Sequence, residues 1–325
     1  MKTFLLFLLY WSLSEALSPR TVAIIGPTGR LGRQIVQELS AKGISTRCLL
    51  RHEIPASTSS PKSLEEAQSS SEIAAYLQSL PNVTFVKGDL NDMASLRRLL
   101  EGCDACIAAH GASAPKPFWR SLILPNIFYP ETLPQHPKQV NYQGLKNVLQ
   151  VMNETSCKTI VRITGKGESP WSIFSILINA LGALAKAWNY EGEQLLRTSG
   201  MDYIIIRPGV MKDSLEDEKY GLRDNGEDMK VTTVSYHQIA ELAAQSLEYS
   251  NCRRVTLTAM NDADGGETSY APLLARVQPD RRVFPVSLLE EHRKAARVGG
   301  LAIVTVLVLI AQAAVRLVLQ LVREF

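Results

Sequence analysis

Residues 21–33 read TVAIIGPTGRLGR. The apolar, β-branched run Thr21–Ile25 is typical of a buried strand. Gly26 permits a tight turn, Gly29 lets the backbone approach a ligand, and Gly32 lets the next helix pack closely on the strand. Free N–H groups at the start of that helix then face a pyrophosphate. The stretch therefore predicts a dinucleotide-binding turn, the alternative being a tight turn without a ligand. The expected cofactor contacts here are Gly26, Thr28, Gly29, Arg30, Leu31 and Gly32.

Short apolar runs and helical stretches alternate along the rest of the chain. Strands are expected at Thr21–Ile25, Ser45–Leu50, Val83–Val86, Ala105–Ala109, Thr159–Ile163, Tyr203–Ile206 and Val255–Leu257. Helices are expected at Arg30–Lys42, Ser63–Leu80, Met93–Glu101, Lys138–Glu154, Trp171–Ser199 and Ser235–Glu248. This alternation predicts an α/β fold, a doubly wound parallel sheet of the Rossmann type, in a single domain with a C-terminal apolar helix. A proline-rich stretch, residues 112–137, interrupts the alternation and reads as a lid or as a surface loop.

The composition is that of a globular protein. The chain has 325 residues, of which 46% are hydrophobic and 21% charged, with a formal net charge of +3. These values exclude a disordered or fibrous protein. Lys and Arg are not clustered, so we expect no nucleic-acid partner. Cys103 and Cys106 form a single CxxC with no second pair, so we expect no metal site, and a redox pair is the weaker reading.

Both ends of the chain differ from the middle. Residues 1–16 read as a secretory signal peptide, the alternative being an uncleaved anchor helix. Residues 17–297 then form the Rossmann domain, and residues 298–325 form a membrane or docking helix. The apolar run Val298–Ala311 is too short for a span, and extending it to Val322 adds a polar stripe of Gln312, Arg316 and Gln320. A single span, an interfacial helix and a helix that docks on a partner therefore all stay open.

These ends predict a membrane protein of either the endoplasmic reticulum and secretory pathway or a complex plastid. Two sequons, at Asn82 and Asn153, suit the secretory pathway. Unpaired cysteines and an NADP-type fold suit a reducing plastid space. The sequence does not choose between the two destinations, nor does it fix the topology.

The residue after the second strand indicates which dinucleotide is bound. An NAD-selective site places Asp or Glu there to accept a hydrogen bond from the ribose 2′-hydroxyl. This chain has Arg51, which cannot accept but can pair with a 2′-phosphate, as can Arg30 in the turn. NADP(H) is therefore favoured over NAD(H), the alternative being that Arg51 is only a solvated edge residue.

Several motifs between residues 20 and 260 share a family pattern. They are GPTGRLG from Gly26, GDL from Gly88 followed by SL from Ser95, GCDA from Gly102 followed by AAHG from Ala108, VNYQG from Val140, and EQLLRTSGMDYIIIRP from Glu193 to Pro208. On these motifs the chain resembles the atypical short-chain dehydrogenase/reductases, the NmrA-like and biliverdin-reductase-B-like NAD(P)-binding group. The motifs are specific to that superfamily and not to one substrate.

The resemblance also implies cofactor contacts outside the turn. The implied contacts are Asp89 near the adenine with Leu90 beside it, Ala108 and Ala109 under the nicotinamide ribose, Lys146 on a helix near the cofactor edge, and Pro208 at the end of the last motif.

The catalytic pair of the wider superfamily is absent in register. Typical members place a Tyr and a Lys four residues apart on one helix face, so that the Lys lowers the Tyr pKa and the Tyr transfers a proton. In the family pattern Glu193 follows that Lys by four, which puts Asn189 at the Lys position and Ala185 at the Tyr position. Lys186 and Tyr190 are also four apart, but in reverse order and one residue, about 100°, out of register.

Two further side chains are candidates for catalysis. Thr164 ends the fifth strand and could bond a substrate carbonyl, and His110 ends the fourth strand and could act as an acid. Hydride transfer to a flavin or quinone needs mainly juxtaposition, so the missing pair does not exclude a reductase. We therefore expect an NADP(H)-binding, oxidoreductase-like protein that reduces a small acceptor such as a quinone or flavin at a membrane. The alternative is a non-catalytic NADP(H) sensor or assembly factor for a membrane complex.

Overall fold

A computed structural model gives the structure of the protein and describes residues 20–55, 60–117, 119–122, 125–215 and 218–324. The predicted signal peptide, residues 1–16, lies outside the described residues. The chain divides into two compact units. The first unit comprises the residues up to Gly111, then Gln143–Lys166 and Gly192–Phe284, and the second comprises Ala112–Tyr142, Gly167–Glu191 and the residues from Pro285 onward.

A mostly parallel sheet of eight strands forms the centre of the first unit, which confirms the predicted fold class. Its strands are β1 Thr21–Ile25, β2 Ser45–Leu50, β3 Val83–Lys87, β4 Ala105–Ala108, β5 Thr159–Ile163, β6 Asp202–Pro208, β8 Tyr220–Arg223 and β10 Val255–Asn261. They lie in the order β3-β2-β1-β4-β5-β6-β10-β8, and β8 is antiparallel to β10. A separate parallel pair is formed by β7 Val210–Lys212 and β9 Thr233–Ser235.

Helices cover both faces of this sheet. They are α1 Arg30–Ala41, α2 Ser70–Ser79, α3 Met93–Leu100, α6 Gly144–Glu154, α9 Tyr236–Gln245 and α10 Ala271–Leu274, with a 3₁₀ turn at Ser246–Glu248. Alternate residues of β1 face opposite layers. Val22 and Ile24 pack with α1 and α9, whereas Ala23 and Ile25 pack with α3 and α6. Because β1 lies between β2 and β4, the direction of strand addition reverses there, which is where doubly wound sheets bind ligands.

The second unit is helical. Its elements are α4 Trp119–Leu122, α5 Pro125–Phe128, a π-helix Lys138–Gln143, α7 Ile173–Leu181, the first residues of α8 Ala185–Thr198, and α11 Leu289–Glu324. The proline-rich stretch predicted as a lid or surface loop belongs to this unit. In the part of the chain that is described, one helix, over Leu289–Arg316, is long and apolar enough to cross a membrane by length and composition.

The structure corrects three of the helix predictions. The helix expected over Trp171–Ser199 is two helices, because Ala183 and Leu184 adopt left-handed backbone angles with φ of 52° and 62°. The first third of the helix expected over Lys138–Glu154 is a π-helix. The helix expected over Ser63–Leu80 begins only at Ser70, where the Ser69 hydroxyl accepts from the Glu72 N–H and the Glu72 carboxylate accepts from the Ser69 N–H. Strands β7, β8 and β9 were not predicted.

Candidate functional site

The glycine turn after β1 has the backbone geometry of a phosphate-binding turn. Gly26 has a φ of +85°, and a Cβ there would lie 3.0 Å from the backbone of His110. A Cβ on Gly32 would overlap the carbonyl oxygen of Gly26. The turn is closed by a hydrogen bond from the Gly29 N–H to the Gly26 oxygen at 3.2 Å. The first and third glycines are therefore needed for packing, while Gly29 is exposed.

Helix α1 begins directly at this turn, with its first N–H groups uncapped. Gly29 is the N-cap residue and supplies no side chain, and α1 has no acidic residue in its first turn. Neither a side-chain cap nor an acidic residue of the first turn therefore offsets the positive partial charge at this end of the helix dipole, an arrangement that suits an anion such as phosphate. Thr28 is half-buried, Leu31 is buried, and Arg30 is exposed.

Arg30 has a described partner beyond the turn. Its guanidinium hydrogen-bonds the Tyr236 side chain and lies near the Asp213 carboxylate, and these interactions raise the pKa of Arg30 above its ordinary value. The guanidinium has five N–H donors, so one hydrogen bond leaves it able to contact an anion.

Arg51 is an exposed side chain at the end of β2. The parallel register pairs Leu49 with Ile25, so Arg51 follows the strand end on the same edge as the turn after β1. The nearby carboxylate, Glu53, is paired with Lys87 at 2.6 Å, and this bond lowers the pKa of Glu53. A basic side chain therefore lies near the strand end where NAD-selective Rossmann sites place an acidic one.

The residues implied at the adenine lie at the end of β3. Asp89 accepts hydrogen bonds from the backbone and side chain of Asn91, at 3.0 and 3.1 Å. The Leu90 carbonyl accepts from the Asn147 amide at 2.9 Å, which ties this loop to α6. Lys146 is exposed on α6, one residue before Asn147.

The end of β4 is held by a buried arginine that the sequence analysis did not single out. Arg162, on β5, donates to the carbonyls of Ala108 and His110 at 3.0 and 2.6 Å. Burial lowers the pKa of Arg162 to about 10, while Glu193 and Cys106 act in the opposite direction. The Ala109 N–H donates to the Ile25 oxygen at 3.0 Å, which joins the end of β4 to the glycine turn. An arginine in the middle of an apolar strand was the available signal.

Thr164 belongs to a buried charged network rather than standing alone at the end of β5. Its hydroxyl donates to Glu193 at 2.7 Å, and Glu193 is also bonded by Arg207 and Arg197. Burial on its own would raise the pKa of Glu193, but the two arginines and Thr164 bring it below its ordinary value. Pro208 lies at the end of β6, one residue after Arg207.

Lys186 and Tyr190 are engaged within the second unit. The Lys186 ammonium donates to the Ser175 hydroxyl at 2.8 Å. The Tyr190 hydroxyl is buried and donates to the Pro285 carbonyl at 2.7 Å. Ala185 and Asn189, at the family's Tyr and Lys positions, lie on the same helix, α8.

The five cysteines are free and buried. Burial raises the pKa of Cys48, Cys157 and Cys252 to about 12, and it raises the pKa of Cys103 and Cys106 as well. A protonated, buried thiol is a poor nucleophile, so this geometry disfavours a redox pair at Cys103 and Cys106. Within the part of the chain that the structure describes, no group of three or more His, Cys, Asp or Glu side chains could hold a metal ion.

Comparison with known proteins agrees with this geometry. A family model described as NAD(P)H-binding matches residues 26–250, and the chain belongs to that family. Its fold is the Rossmann fold, as the resemblance implied. A solved short-chain dehydrogenase/reductase of Veillonella parvula in complex with NADP superimposes with a TM-score of 0.55 at 11% identity, covering 78% of this chain and all of that one. The anaerobillin reductase ChuY of Escherichia coli O157:H7 gives a TM-score of 0.54 at 14% identity, covering 76% of this chain and 100% of ChuY. At these identities the likeness shows the fold alone.

Three curated relatives are similar in sequence over most of the chain. An uncharacterised chloroplastic protein of Arabidopsis thaliana is 24% identical, covering 79% of this chain and 74% of its own length. The photosystem II assembly factor Ycf39 of Synechocystis is 24% identical, covering 79% of this chain and 67% of its own. Chloroplastic TIC 62 of Pisum sativum is 23% identical and covers 81% of this chain, but the chain spans only about half of TIC 62, 47% of its length.

Proposed function

We propose that the first unit binds NADP(H) and reduces a small conjugated acceptor, such as a quinone or flavin, at a membrane. The observation that carries this proposal is the turn at Gly26–Gly32, in which backbone leaves no room for a Cβ at two glycines and the helix start is uncapped. Such a turn fits a pyrophosphate, because the N–H groups and the helix dipole both favour an anion.

The choice of NADP(H) over NAD(H) rests on two arginines. Arg51 is exposed at the end of β2, and Arg30 is exposed at the start of α1. A guanidinium pairs well with a 2′-phosphate, whereas it cannot accept a hydrogen bond from a 2′-hydroxyl. The carboxylate that could serve an NAD site, Glu53, is already paired with Lys87.

The assignment of roles follows where each side chain lies. When bound, NADPH supplies a hydride to the acceptor. The arginine Arg162 fixes the carbonyls of Ala108 and His110, so it orients the strand end on which the nicotinamide ribose is expected. His110 and Thr164 are the proposed polar contacts of the acceptor. Lys186 and Tyr190 have structural partners in the second unit, and we assign to them the support of that unit.

The location rests on the two ends of the chain and on the relatives. We propose that residues 1–16 are a targeting signal, that residues 17–297 carry the reductase, and that residues 298–325 anchor it in a membrane. The apolar length of α11 supports the anchor. Chloroplastic relatives support a plastid over the secretory pathway.

A nucleotide titration tests the cofactor assignment. Purified full-length protein in detergent is titrated with NADPH and with NADH, and binding is followed by nicotinamide fluorescence. The wild type is expected to prefer NADPH, and Arg51→Glu to lose that preference at least about tenfold, because a carboxylate repels the 2′-phosphate. Arg276→Glu, which changes another exposed arginine of the first unit, is the matched control. Equal binding of the two nucleotides by the wild type would contradict the assignment.

A non-catalytic role is the second candidate. Ala185 and Asn189 stand where the family has Tyr and Lys, and one relative is named as an assembly factor. The fold would then act as an NADP(H)-reading module within a membrane complex. Two results together would favour this role. The protein would bind NADPH but oxidise it no faster when any quinone or flavin is added. A membrane complex would also co-purify with the full-length protein and be lost when α11 is deleted.

A further inference from the structure

Helix α7 of the second unit presents two chemically different faces. Ser175, Asn179 and Ala180 are buried on one face, whereas the large apolar side chains on the opposite face are exposed. The exposed set comprises Ile173, Phe174, Leu177 and Ile178. At about 100° per residue these four positions fall within roughly 140° of the helix circumference, so they form one continuous stripe. Ile173 is the most exposed, at 77%.

The orientation of this stripe is fixed by hydrogen bonds on the buried face. The Asn179 side-chain oxygen Oδ1 accepts from the N–H groups of Lys186 and Ala187, and the Asn179 side-chain nitrogen bonds His292 at 2.9 Å. His292 also bonds the Gly167 carbonyl at 2.7 Å. Turning the apolar stripe inward would bury four apolar side chains but would break these polar contacts. These hydrogen bonds therefore hold the apolar stripe in its outward orientation.

Helix α7 contacts α11 through the face opposite this stripe, where Asn179 bonds His292. Helix α7 packs against α11, and a Cβ on Gly299 would overlap the side chain of Ile176. Gly299 is the second residue of the apolar run, so the two helices approach most closely where that run starts. The apolar side chains of α11 just beyond this point are themselves exposed, Leu301 by 70%.

The residues around this junction are those found at a membrane interface. Trp171 precedes α7, is half exposed, and donates its indole N–H to Glu291 at 3.2 Å, with the Lys294 ammonium 6.0 Å from its ring. Trp is enriched at the level of lipid headgroups, because its ring is apolar and its N–H is polar. Helix α7 has nine residues, about 14 Å, which is too short to span a bilayer but sufficient to lie in its surface.

We propose that α7 is an interfacial helix whose stripe is buried in the phospholipid leaflet that α11 enters. This proposal rests on the membrane anchor of the proposed function and adds a second contact with the same bilayer. The occupant is a lipid surface rather than a protein groove, because α7 packs against α11, the helix proposed to enter the bilayer, whose apolar side chains beyond Val298 are mostly exposed. The first turns of α11, residues 289–297, carry three basic and two acidic residues, so apolar burial and not anionic lipid supplies the attraction.

Depth-dependent quenching of Trp171 tests the proposal on the full-length protein. The chain is reconstituted in phosphatidylcholine vesicles with lipids brominated near the headgroup, and the emission of a Trp171→Phe variant is subtracted. We expect the Trp171 emission to be quenched by about half or more, and to be quenched equally when anionic lipid is added. Phe174→Glu combined with Leu177→Glu should abolish most of the quenching. Val283→Glu, at an exposed apolar residue outside the stripe, should leave it unchanged.

The outcomes separate this inference from the anchor. Protein that resists alkaline carbonate extraction while its Trp171 is not quenched keeps the anchor and overturns the interfacial helix. Protein that carbonate releases contradicts the anchor itself. Trp171 emission that is blue-shifted yet insensitive to brominated lipid means that protein covers the stripe, either a second copy or another segment of this chain, and this too overturns the proposal.

Discussion

Gly32 is the residue at which the proposed cofactor site is most sensitive to a single methyl group. A Cβ there would overlap the carbonyl oxygen of Gly26, which belongs to the backbone and so cannot rotate away as a flexible side chain could. We expect Gly32→Ala to weaken NADPH binding at least about tenfold, or ~1.4 kcal/mol, because the turn must open to relieve the overlap. Fluorescence titration measures this loss.

The control for that variant separates binding from backbone strain. Unlike Gly32, Gly43 has a positive φ, of 74°, but a Cβ there meets nothing within 4 Å. Gly43→Ala should therefore lower the melting temperature while leaving the NADPH affinity within about twofold, since its cost is conformational. Equal losses of affinity in the two variants would show that Gly32 acts only through stability.

His136 provides a pH dependence whose direction follows from its hydrogen bond. The buried imidazole accepts the Lys138 N–H at Nδ1, at 3.1 Å, which requires the neutral ring. Burial lowers the pKa of His136 to about 4, with Lys138 acting in the same direction and Glu131 opposing. The unfolded side chain titrates near 6.5. The stabilisation is thus complete above that value and is lost as the pH falls from about 6.5 towards 4.

Hydrogen exchange of the segment 130–142 measures this loss. After correction for the intrinsic exchange rate, we expect protection to fall about tenfold between pH 7 and pH 5, or ~1.4 kcal/mol. His136→Asn keeps an acceptor near the position of Nδ1 but does not titrate, so its protection should be independent of pH in this range. The same pH dependence in both proteins would refute the assignment to His136.

Glu193 links three elements through buried charge. It sits on α8 and bonds Thr164 after β5, Arg207 on β6 and Arg197 on its own helix. Glu193→Gln leaves two buried or half-buried guanidinium groups without their counter-charge, which costs about 3–5 kcal/mol. We expect a correspondingly large fall in the denaturation midpoint. Glu154→Gln, which removes the exposed ion pair with Arg97, should cost no more than about 1 kcal/mol.

The break between α7 and α8 stores local strain. Ala183 is buried and has a φ of 52°, a conformation that costs a residue with a Cβ roughly 1 kcal/mol. Ala183→Gly is therefore expected to raise the stability of the second unit by up to about 1 kcal/mol. Ala180→Gly, inside α7, should lower it by 0.5–1 kcal/mol or more, about the intrinsic helix penalty of glycine. Thermal denaturation of the two variants compares them directly.

Among the secondary-structure elements, the local sequence pattern predicted the strands of the sheet better than it predicted where a helix is interrupted. β1, β2 and β5 begin and end at the predicted residues, and β1 and β5 consist mostly of β-branched residues, as is typical of a buried strand. The break at Ala183 and Leu184 could not be predicted, because neither residue favours a left-handed backbone and the sequence does not display the hydrogen bonds that Leu184 and Lys186 donate to Asn179 across it. Strands β7 and β9 have three residues each and pair only with one another, so they carry no periodic signal.

In the candidate site, too, local features could be predicted from the sequence, whereas contacts between distant residues could not. The strand, turn and helix around Gly26–Gly32 lie where they were predicted, because their backbone geometry depends on glycine spacing that the sequence displays. The hydrogen bonds of Arg162 to Ala108 and His110 join positions more than fifty residues apart. Only the parallel pairing of β4 with β5 brings those positions together, and sequence periodicity does not contain it. The hydrogen bonds of Thr164 to Glu193 and of Tyr190 to Pro285 could not be predicted either, because they also join residues far apart in the sequence.

The whole molecule combines a nucleotide-binding unit with a helical unit that ends in an apolar helix. The contacts that hold the start of α11 in the second unit come from residues before Val298, namely His292 with Gly167 and Arg293 with Glu131. The apolar side chains described beyond Val298 are mostly exposed. The first part of α11 is therefore structural, and the remainder is available for a membrane.

Two truncations distinguish these parts. A chain that ends at Arg297 keeps the contacts of His292 and Arg293, so we expect NADPH affinity within about twofold of the full-length protein and complete release from carbonate-washed vesicles. A chain that ends at Phe284 leaves the carbonyl of Gly167 and the amide of Asn179 without their buried histidine, which costs about 1–3 kcal/mol for each unsatisfied group. It should therefore expose the second unit to limited proteolysis, whereas the longer truncation should resist it. Retention of the longer truncation in washed vesicles would place the anchor elsewhere in the chain.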